Sequence, residues 1–134
     1  MNPEAFTPDN TSPESLLAAF DAALFETSLD DDGDVIVRDK YRVFLSVHHE
    51  STIRLLGVFG LKEECSVEEG HALCNRINAG LIIIRASVDE NTLYLDWYLP
   101  LRGGIGKKAV VRAVRKFNEL TEAIIKYDTN NIMI

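Results

Sequence analysis

The residues best suited to chemistry lie close together in one tract, residues 102–116. This tract carries six basic side chains and no acidic one, and its lysines follow the glycine-rich segment GGIG. Amide groups at the start of a helix, together with lysines, bind phosphate and carboxylate groups. The segment is not a P-loop, because that motif requires Gly in place of Leu101 and Ser or Thr in place of Lys108. We therefore predict a small anion-binding corner at the start of the last helix, formed by Arg102, Gly104, Lys107 and Lys108.

The acidic N-terminal part of the chain offers an alternative explanation of this basic tract. Residues 1–37 contain acidic side chains and neither Lys nor Arg. Opposite charges on two segments commonly guide their association, within one molecule or across a dimer. In this alternative the lysines belong to a solvated helix start that pairs with the acidic segment. The net charge of −7 also argues against non-specific nucleic-acid binding, because phosphates are repelled.

The other groups that could catalyse a reaction or bind a metal do not form recognised motifs. The acidic stretch DDDGD lacks the ligand spacing of a calcium-binding loop, so we predict a turn there. His48 and His49 are adjacent on a predicted strand and point to opposite faces. Cys65, His71 and Cys74 have neither a fourth ligand nor a paired-ligand spacing. We expect no enzyme activity, no metal site and no cofactor, because no nucleophile, base and orienting group cluster along the chain.

The hydrophobic pattern and the turn signals predict an α+β fold in the order α-β-β-β-α-β-β-α. Ser12 and Pro13 are typical of a helix start, and apolar residues then recur at helical spacing to about Thr27. A second helix start is predicted at Ser66, where Glu69 completes a capping box. The close spacing of the strands predicts one antiparallel five-stranded sheet, with the helices packed mainly on one face. The strands are predicted over residues 35–38, 41–48, 53–60, 82–89 and 92–100, and the last helix over about 107–128.

The length and composition predict a single domain over residues 13–128. Residues 1–12 are polar, contain two prolines and lack periodicity, which predicts a disordered tail. Residues 129–134 form a C-terminal tail whose apolar end either docks or frays. We expect a cytoplasmic protein, because the sequence has no signal peptide, no apolar run near the ~20 residues that span a bilayer, and only two cysteines.

The two faces of the predicted sheet differ in composition. The face toward the helices is apolar and includes Trp97, which we predict to be buried beside Leu95 and Leu99. A sheet covered on one side should be polar on the other. The outer face is only half polar here, which is typical of an interface unless a helix covers it. The predicted partner-binding residues on the outer face are Phe44, Leu56, Val58, Ile83, Tyr94 and Tyr98.

Three segments, YRVFLSV, SVEEGHALCNRIN and YLPLRGGI, carry a resemblance to a known family. With the order of elements, they resemble the bacterial YbjN family over about residues 15–127. That family is described as sensory transduction regulators, and its fold is similar to that of type III secretion chaperones. The resemblance implies a small, dimeric, non-enzymatic module that binds proteins or regulates, and it supplies no catalytic residues. The basic tract is stronger than expected for the family and leaves room for an anionic ligand.

We therefore expect a homodimeric protein-binding module, chaperone-like or regulatory, that recognises a protein partner or a second copy of itself. Gly70 also suggests a dimer, because glycine within a helix costs about 1 kcal/mol against alanine and a close approach to a second subunit would offset that cost. The alternative is a sensor of a small anionic ligand bound at residues 103–108. Neither function involves nucleic acid or a membrane.

Overall fold

Serine capping boxes begin the first two helices, as their sequences predict. The structure is a computed structural model, and it describes residues 4–49 and 51–134. In α1 (Pro13–Ala22) the Ser12 hydroxyl accepts from the amide of Ser15 at 3.1 Å, and the Ser15 hydroxyl accepts from the amide of Ser12 at 2.9 Å. In α2 (Val67–Gly80) Ser66 and Glu69 make the corresponding pair, with both distances 3.1 Å. The last helix, α3 (Lys107–Ile124), continues into a short 3₁₀ turn (Ile125–Tyr127).

The described strands form two antiparallel arrangements. One is a six-stranded sheet in the order β2-β3-β4-β5-β7-β6, and the other is a pair formed by β1 and β8. This confirms the α+β class, but the main sheet has six strands rather than the predicted five. The strands are β1 (Ala5–Phe6), β2 (Glu26–Leu29), β3 (Val35–Arg38), β4 (Arg42–His48), β5 (Thr52–Gly60), β6 (Arg85–Asp89), β7 (Thr92–Pro100) and β8 (Ile105–Gly106).

The additional strand exists because α1 ends earlier than its apolar pattern predicts. Leu24 adopts a left-handed conformation with φ of 69°, and the amide of Phe25 donates to the carbonyl of Phe20 at 3.0 Å. These features stop the helix in the way that glycine usually does. Leu24, which falls within the helix predicted from the apolar spacing, is instead 93% exposed. The following residues are then free to pair with β3 as β2.

The chain divides into two compact units, and the first consists of residues 1–55 and 98–118. In it α1 packs against β2, β3 and β4 and buries Leu16 and Phe20. Val35, Val37, Val43 and Leu45 alternate with less buried residues and fill the same core. Asn118 on α3 is buried, and its side-chain oxygen accepts from the amide of Tyr41 at 2.8 Å.

In the second unit, residues 56–97 and 119–134, α2 packs against β6. Gly70 is buried, and a Cβ atom at that position would lie 3.4 Å from a methyl group of Val88. The close approach predicted at Gly70 is therefore made within the chain, and it gives no support to a second subunit. Gly80, the last residue of α2, does not have a left-handed conformation. It leaves space for Tyr127, because a Cβ atom there would overlap the phenol ring.

Both ends of the chain differ from the tails expected of them. Within the described part of the predicted disordered segment, 1–12, β1 pairs with β8 and Phe6 is fully buried. The burial of this phenylalanine is the physical reason that a polar, proline-containing segment is ordered; residues 1–3 and Glu50 lie outside the described residues. At the other end, Ile132 is buried and its carbonyl accepts from the amide of Lys62 at 2.7 Å. Of the two alternatives for residues 129–134, the structure has the docked one.

Trp97 is less buried than its position on the apolar face of the sheet predicts. Leu95 and Leu99, on the same face of β7, are buried, but Trp97 is only half-buried. An indole ring is so large that it is seldom fully enclosed. The adjacent residue Asp96, on the opposite face of β7, is more buried than Trp97: it is 6% exposed and is paired with Arg85.

Candidate binding surfaces

The turn between β7 and α3 is closed by glycines and held by the N-terminal strand. Gly103 and Gly104 have φ values of 83° and 84°, a region that glycine enters at low cost. The amide of Gly104 donates to the carbonyl of Leu101 at 2.9 Å, which tightens the turn. The amide of Lys107, the first residue of α3, donates to the carbonyl of Glu4 at 2.7 Å. This amide at the helix start is therefore already bonded to the chain itself.

A groove of about 690 Å³ lies between α1 and α3 in the first unit. Small apolar side chains from both helices line it: Ala18, Ala19, Ala22, Ala23 and Val111. Four cations of α3 also line it: Lys107, Lys108, Arg112 and Arg115, together with Ser15 and the carboxylate of Glu4. We call this feature the basic groove. Its apolar and cationic residues lie side by side, so it can take a ligand that is both apolar and anionic.

Two of these cations are positioned by aromatic rings. The ammonium nitrogen of Lys107 lies 5.5 Å from the ring centre of Phe6, and the guanidinium carbon of Arg115 lies 5.2 Å from that of Phe25. Such contacts hold a cation without neutralising it. The structure thus keeps positive charge at defined positions along the groove.

The predicted anion corner is only partly assembled. Lys107 and Lys108 share the basic groove, but Arg102 and Gly104 are not among its lining residues. Arg102 is exposed in the turn, and Gly104 faces Ala5 and Phe6 of β1. The glycines of the predicted corner serve the turn instead. Arg112 and Arg115 belong to the basic tract but not to the predicted corner, although their spacing of four and eight residues from Lys108 and Lys107 places them along one side of a helix.

In the first unit the outer face of the sheet includes Phe44 and Tyr98. Phe44 lies opposite Ile36 in the β3–β4 register and is half-buried. Tyr98 is 37% exposed, and its ring centre lies 5.9 Å from that of His48. His48 also contacts His49, at 4.1 Å between ring centres. The prediction that these histidines point apart is wrong, because His49 leaves the strand with a φ of 51°.

The second unit contains the other four predicted partner-binding residues. Val58 on β5 is 42% exposed and Ile83, in the loop before β6, is 44% exposed. Leu56 and Tyr94 are half-buried. Exposed branched aliphatic side chains of this kind contribute apolar surface that a partner can cover.

The remaining candidate groups lie in several separate places along the chain. Within residues 4–49 and 51–134, no three His, Cys, Asp or Glu side chains are grouped as they would be around a metal ion. Cys65 and His71 line a small cleft of about 270 Å³ in the second unit, and His71 and the buried Cys74 line another of about 300 Å³. The DDDGD stretch forms a turn in which Asp30 accepts from the amides of Asp32 and Asp34. Among the described helices, none has the length and apolar character to cross a bilayer.

The fold is shared with solved structures of low sequence identity. YbjN from E. coli superimposes with a TM-score of 0.78 at 13% identity, covering 96% of this chain and 98% of that chain. The Yersinia pestis type III secretion chaperone SycH, solved in complex with a stable fragment of YscM2, gives 0.57 at 17% identity, covering 87% and 99%. The chaperone–effector complex of SchA with HopA1 gives 0.57 at 16% identity, covering 86% and 91%.

The amino-acid sequence also matches a known protein family. No protein with a curated description matches the chain. Residues 12–127 match the family described as "Putative bacterial sensory transduction regulator", and this match spans most of the 134 residues. The match confirms the resemblance inferred from the strand, helix and glycine-turn segments: the chain belongs to the YbjN family.

Proposed function

We propose that this chain is a non-enzymatic protein-binding module, chaperone-like or regulatory. The observation that carries the proposal is the exposure of large apolar side chains on the outer side of the sheet and beside it. Tyr98 in the first unit, and Val58 and Ile83 in the second, are each between 37% and 44% exposed. Leaving such groups in water forgoes stabilisation that a bound polypeptide would recover.

The comparisons support this direction because chaperones with a similar fold were solved with protein ligands. SycH is bound to a fragment of YscM2 and SchA to HopA1. We extend polypeptide binding to this chain as a proposal, since low identity transfers only the fold. The proposed binding residues are those predicted from the sequence: Phe44, Leu56, Val58, Ile83, Tyr94 and Tyr98.

Affinity capture with single charged substitutions tests the proposal. Val58→Arg and Tyr98→Arg each place a charge among the proposed contacts, and Ile82→Arg is the matched control because Ile82 is fully exposed outside the proposed set. We expect cross-linked partners from the native lysate to be lost with the first two variants and kept with the control. Circular dichroism establishes that each variant is folded. Equal capture by all three variants would overturn the proposed surface.

We also propose that the module is a cytoplasmic homodimer. The partly exposed apolar residues support self-association, and the two free cysteines accord with a reducing compartment. Light scattering should report twice the chain mass of 15.0 kDa at micromolar concentration. A monomer across a wide concentration range would refute the proposed dimer, but it would not contradict the proposal that the chain binds other proteins.

The second candidate function is a sensor of a small anion. The presence of Lys107 and Lys108 together in the basic groove, at the helix start where the sequence predicts the anion, favours it. An anion that binds only the folded state raises the melting temperature. Inorganic phosphate should therefore stabilise the wild-type protein, and Lys107→Glu with Lys108→Glu should abolish that gain. A wild-type melting temperature that does not respond to phosphate would rule this candidate out.

A further inference from the structure

We infer that the basic groove binds an acidic amphipathic helix of a partner protein. This inference rests on the proposed protein-binding function and assigns the partner's chemistry at a surface separate from the outer sheet residues. Three features of the groove lead to it: the spacing of its cations, the size of its apolar side chains, and the way in which its charges are held.

The cations of the groove are spread along α3 rather than gathered at one point. Lys107 and Arg115 are eight residues apart, which corresponds to about 12 Å along the helix axis. Lys108 and Arg112 are four residues apart, or about 6 Å. A single phosphate or carboxylate cannot contact the whole row. Glutamates spaced four residues apart on a second helix repeat at the same interval as Lys108 and Arg112 and can pair with them.

The apolar side of the groove consists of small residues on α1. Ala18 and Ala22 form one row at four-residue spacing, and Ala19 and Ala23 form the next. Rows at this spacing are the ridges that helices use when they pack, and small side chains leave room between them for larger ones. Leucine or phenylalanine on the apolar stripe of an incoming helix would fill that room. This is the helix-in-groove mode of recognition, in which an amphipathic helix lays its apolar stripe into an apolar channel.

Two cations of the groove are held in position before any partner binds. The rings of Phe6 and Phe25 hold Lys107 and Arg115 at 5.5 Å and 5.2 Å. Cations held in this way lose less conformational freedom on binding, which favours association. Complementary charge also selects an acidic partner over a basic one. Together these features define the occupant as a helix with one apolar stripe flanked by glutamate or aspartate.

A designed peptide tests the inference directly. The probe is a fluorescein-labelled, 18-residue helical peptide with a leucine stripe flanked by glutamates at four-residue spacing. One control peptide has glutamine in place of every glutamate, and another has the same composition in scrambled order. Fluorescence anisotropy measures binding at low and high salt. We expect saturable binding of the glutamate peptide alone, weakened by salt.

Two pairs of variants locate the binding. The double variant Lys108→Glu with Arg112→Glu should lower the affinity for the glutamate peptide about tenfold or more. Its control is Arg102→Glu with Arg42→Glu, an equal change of charge at exposed sites outside the groove, which should leave the affinity within about twofold of the wild type. Ala22→Leu should weaken binding by filling the groove without changing charge. Ala109→Leu, exposed on α3 and outside the groove, is its control.

Each contrary result overturns the inference in a different way. Equal weakening by both charge-reversal pairs, with no effect of Ala22→Leu, would mean non-specific electrostatic attraction. Complete competition by inorganic phosphate would indicate a small-anion site. If Ala22→Leu converts a dimer into a monomer, a second copy occupies the groove. Failure of the peptide to bind, while Val58→Arg and Tyr98→Arg still abolish capture, would reject the groove and retain the proposed function.

Discussion

Arg85 and Asp96 lie directly opposite each other in the β6–β7 register, and the guanidinium of Arg85 donates two hydrogen bonds to the carboxylate of Asp96. The distances are 3.1 Å from Nε to Oδ1 and 2.9 Å from Nη2 to Oδ2. The pair is asymmetric, because the side chain of Arg85 is 67% exposed while that of Asp96 is 8% exposed. The arginine therefore compensates a largely buried carboxylate from the solvent side.

Removing the arginine should destabilise the protein more than removing a typical surface charge. Arg85→Ala leaves Asp96 without two charged donors, and we expect a loss of about 1–2 kcal/mol in the free energy of unfolding after allowance for solvent screening. Arg42→Ala is the control, since Arg42 lies opposite Arg38 and its removal relieves a like-charge pair. Urea denaturation of both variants measures the difference. Equal free energies of unfolding for the two variants would contradict a structural role for the ion pair between Arg85 and Asp96.

The carboxyl of Asp34 gives a pH-dependent prediction. Its pKa is raised above the ordinary 3.8, first by burial and then by the negative charges of Asp30 and Asp32, against the opposing attraction of Arg54. The folded state therefore binds this proton more tightly than the unfolded state, and the stability that this preference provides is lost as pH rises above 3.8 through the folded-state pKa. Asp34→Asn should consequently melt at a higher temperature than wild type at pH 7.

The difference between Asp34→Asn and wild type should vanish below the ordinary pKa, where both states carry the proton. Asp31→Asn removes the same charge from an exposed position in the same turn and serves as the control. Thermal melts at pH 3.5 and pH 7 make the comparison. A wild-type protein more stable than Asp34→Asn at pH 7 would show that the attraction of Arg54 outweighs burial and repulsion.

The two thiols should differ in reactivity. Cys74 is 7% exposed and burial raises the pKa of its thiol, so little reactive thiolate is present or accessible. Cys65 is half-buried beside the small cleft of the second unit. With Ellman's reagent at pH 8 we expect one fast thiol in the native protein and two in denaturant. Cys65→Ser should remove the fast phase; a Cys65→Ser protein that still reacts rapidly would contradict the burial of Cys74.

The C-terminal residues should contribute measurably to stability. The carboxylate of Asp128 accepts from the amides of Ile132 at 2.8 Å and Met133 at 2.9 Å, which folds the last residues back onto the chain. Asp128→Ala should lower the free energy of unfolding by about 1–3 kcal/mol, because two donors lose a charged acceptor. Asp128→Asn retains one acceptor oxygen and should fall between. Faster trimming by carboxypeptidase should accompany the loss, and an alanine variant as stable and resistant as wild type would refute this role.

Local signals in the sequence were sufficient for the helix starts. Ser12 and Ser66 cap their helices through residues only three positions away, so the information lies within one helical turn. The end of α1 carried no such signal, because Leu24 stands where glycine is usual and the left-handed turn is imposed by the surrounding structure. The strand β2, ETSL, has no alternating pattern, and the helical spacing that precedes it extends to about Thr27, which lies within this strand.

The basic groove could not be predicted for a similar reason. Alanines on α1 have no pattern that distinguishes the side of a groove from any other helix surface, and the groove appears only when α3 packs beside them. The predicted anion corner combines charges and glycines only because they are close along the chain. The periodicity of α3 instead aligns Lys107 and Lys108 with Arg112 and Arg115, and packing beside α1 adds the alanines to them.

The pairing of β1 with β8 has a consequence for the order of assembly during synthesis. Phe6 is synthesised long before its strand partner, Ile105, because 99 positions separate the two residues in the sequence. Until then the phenylalanine has no place in the core, and contacts so distant in sequence form late. The nascent chain therefore carries an exposed aromatic residue until β8 has been made, and exposed apolar surface of this kind makes unfinished chains prone to aggregate.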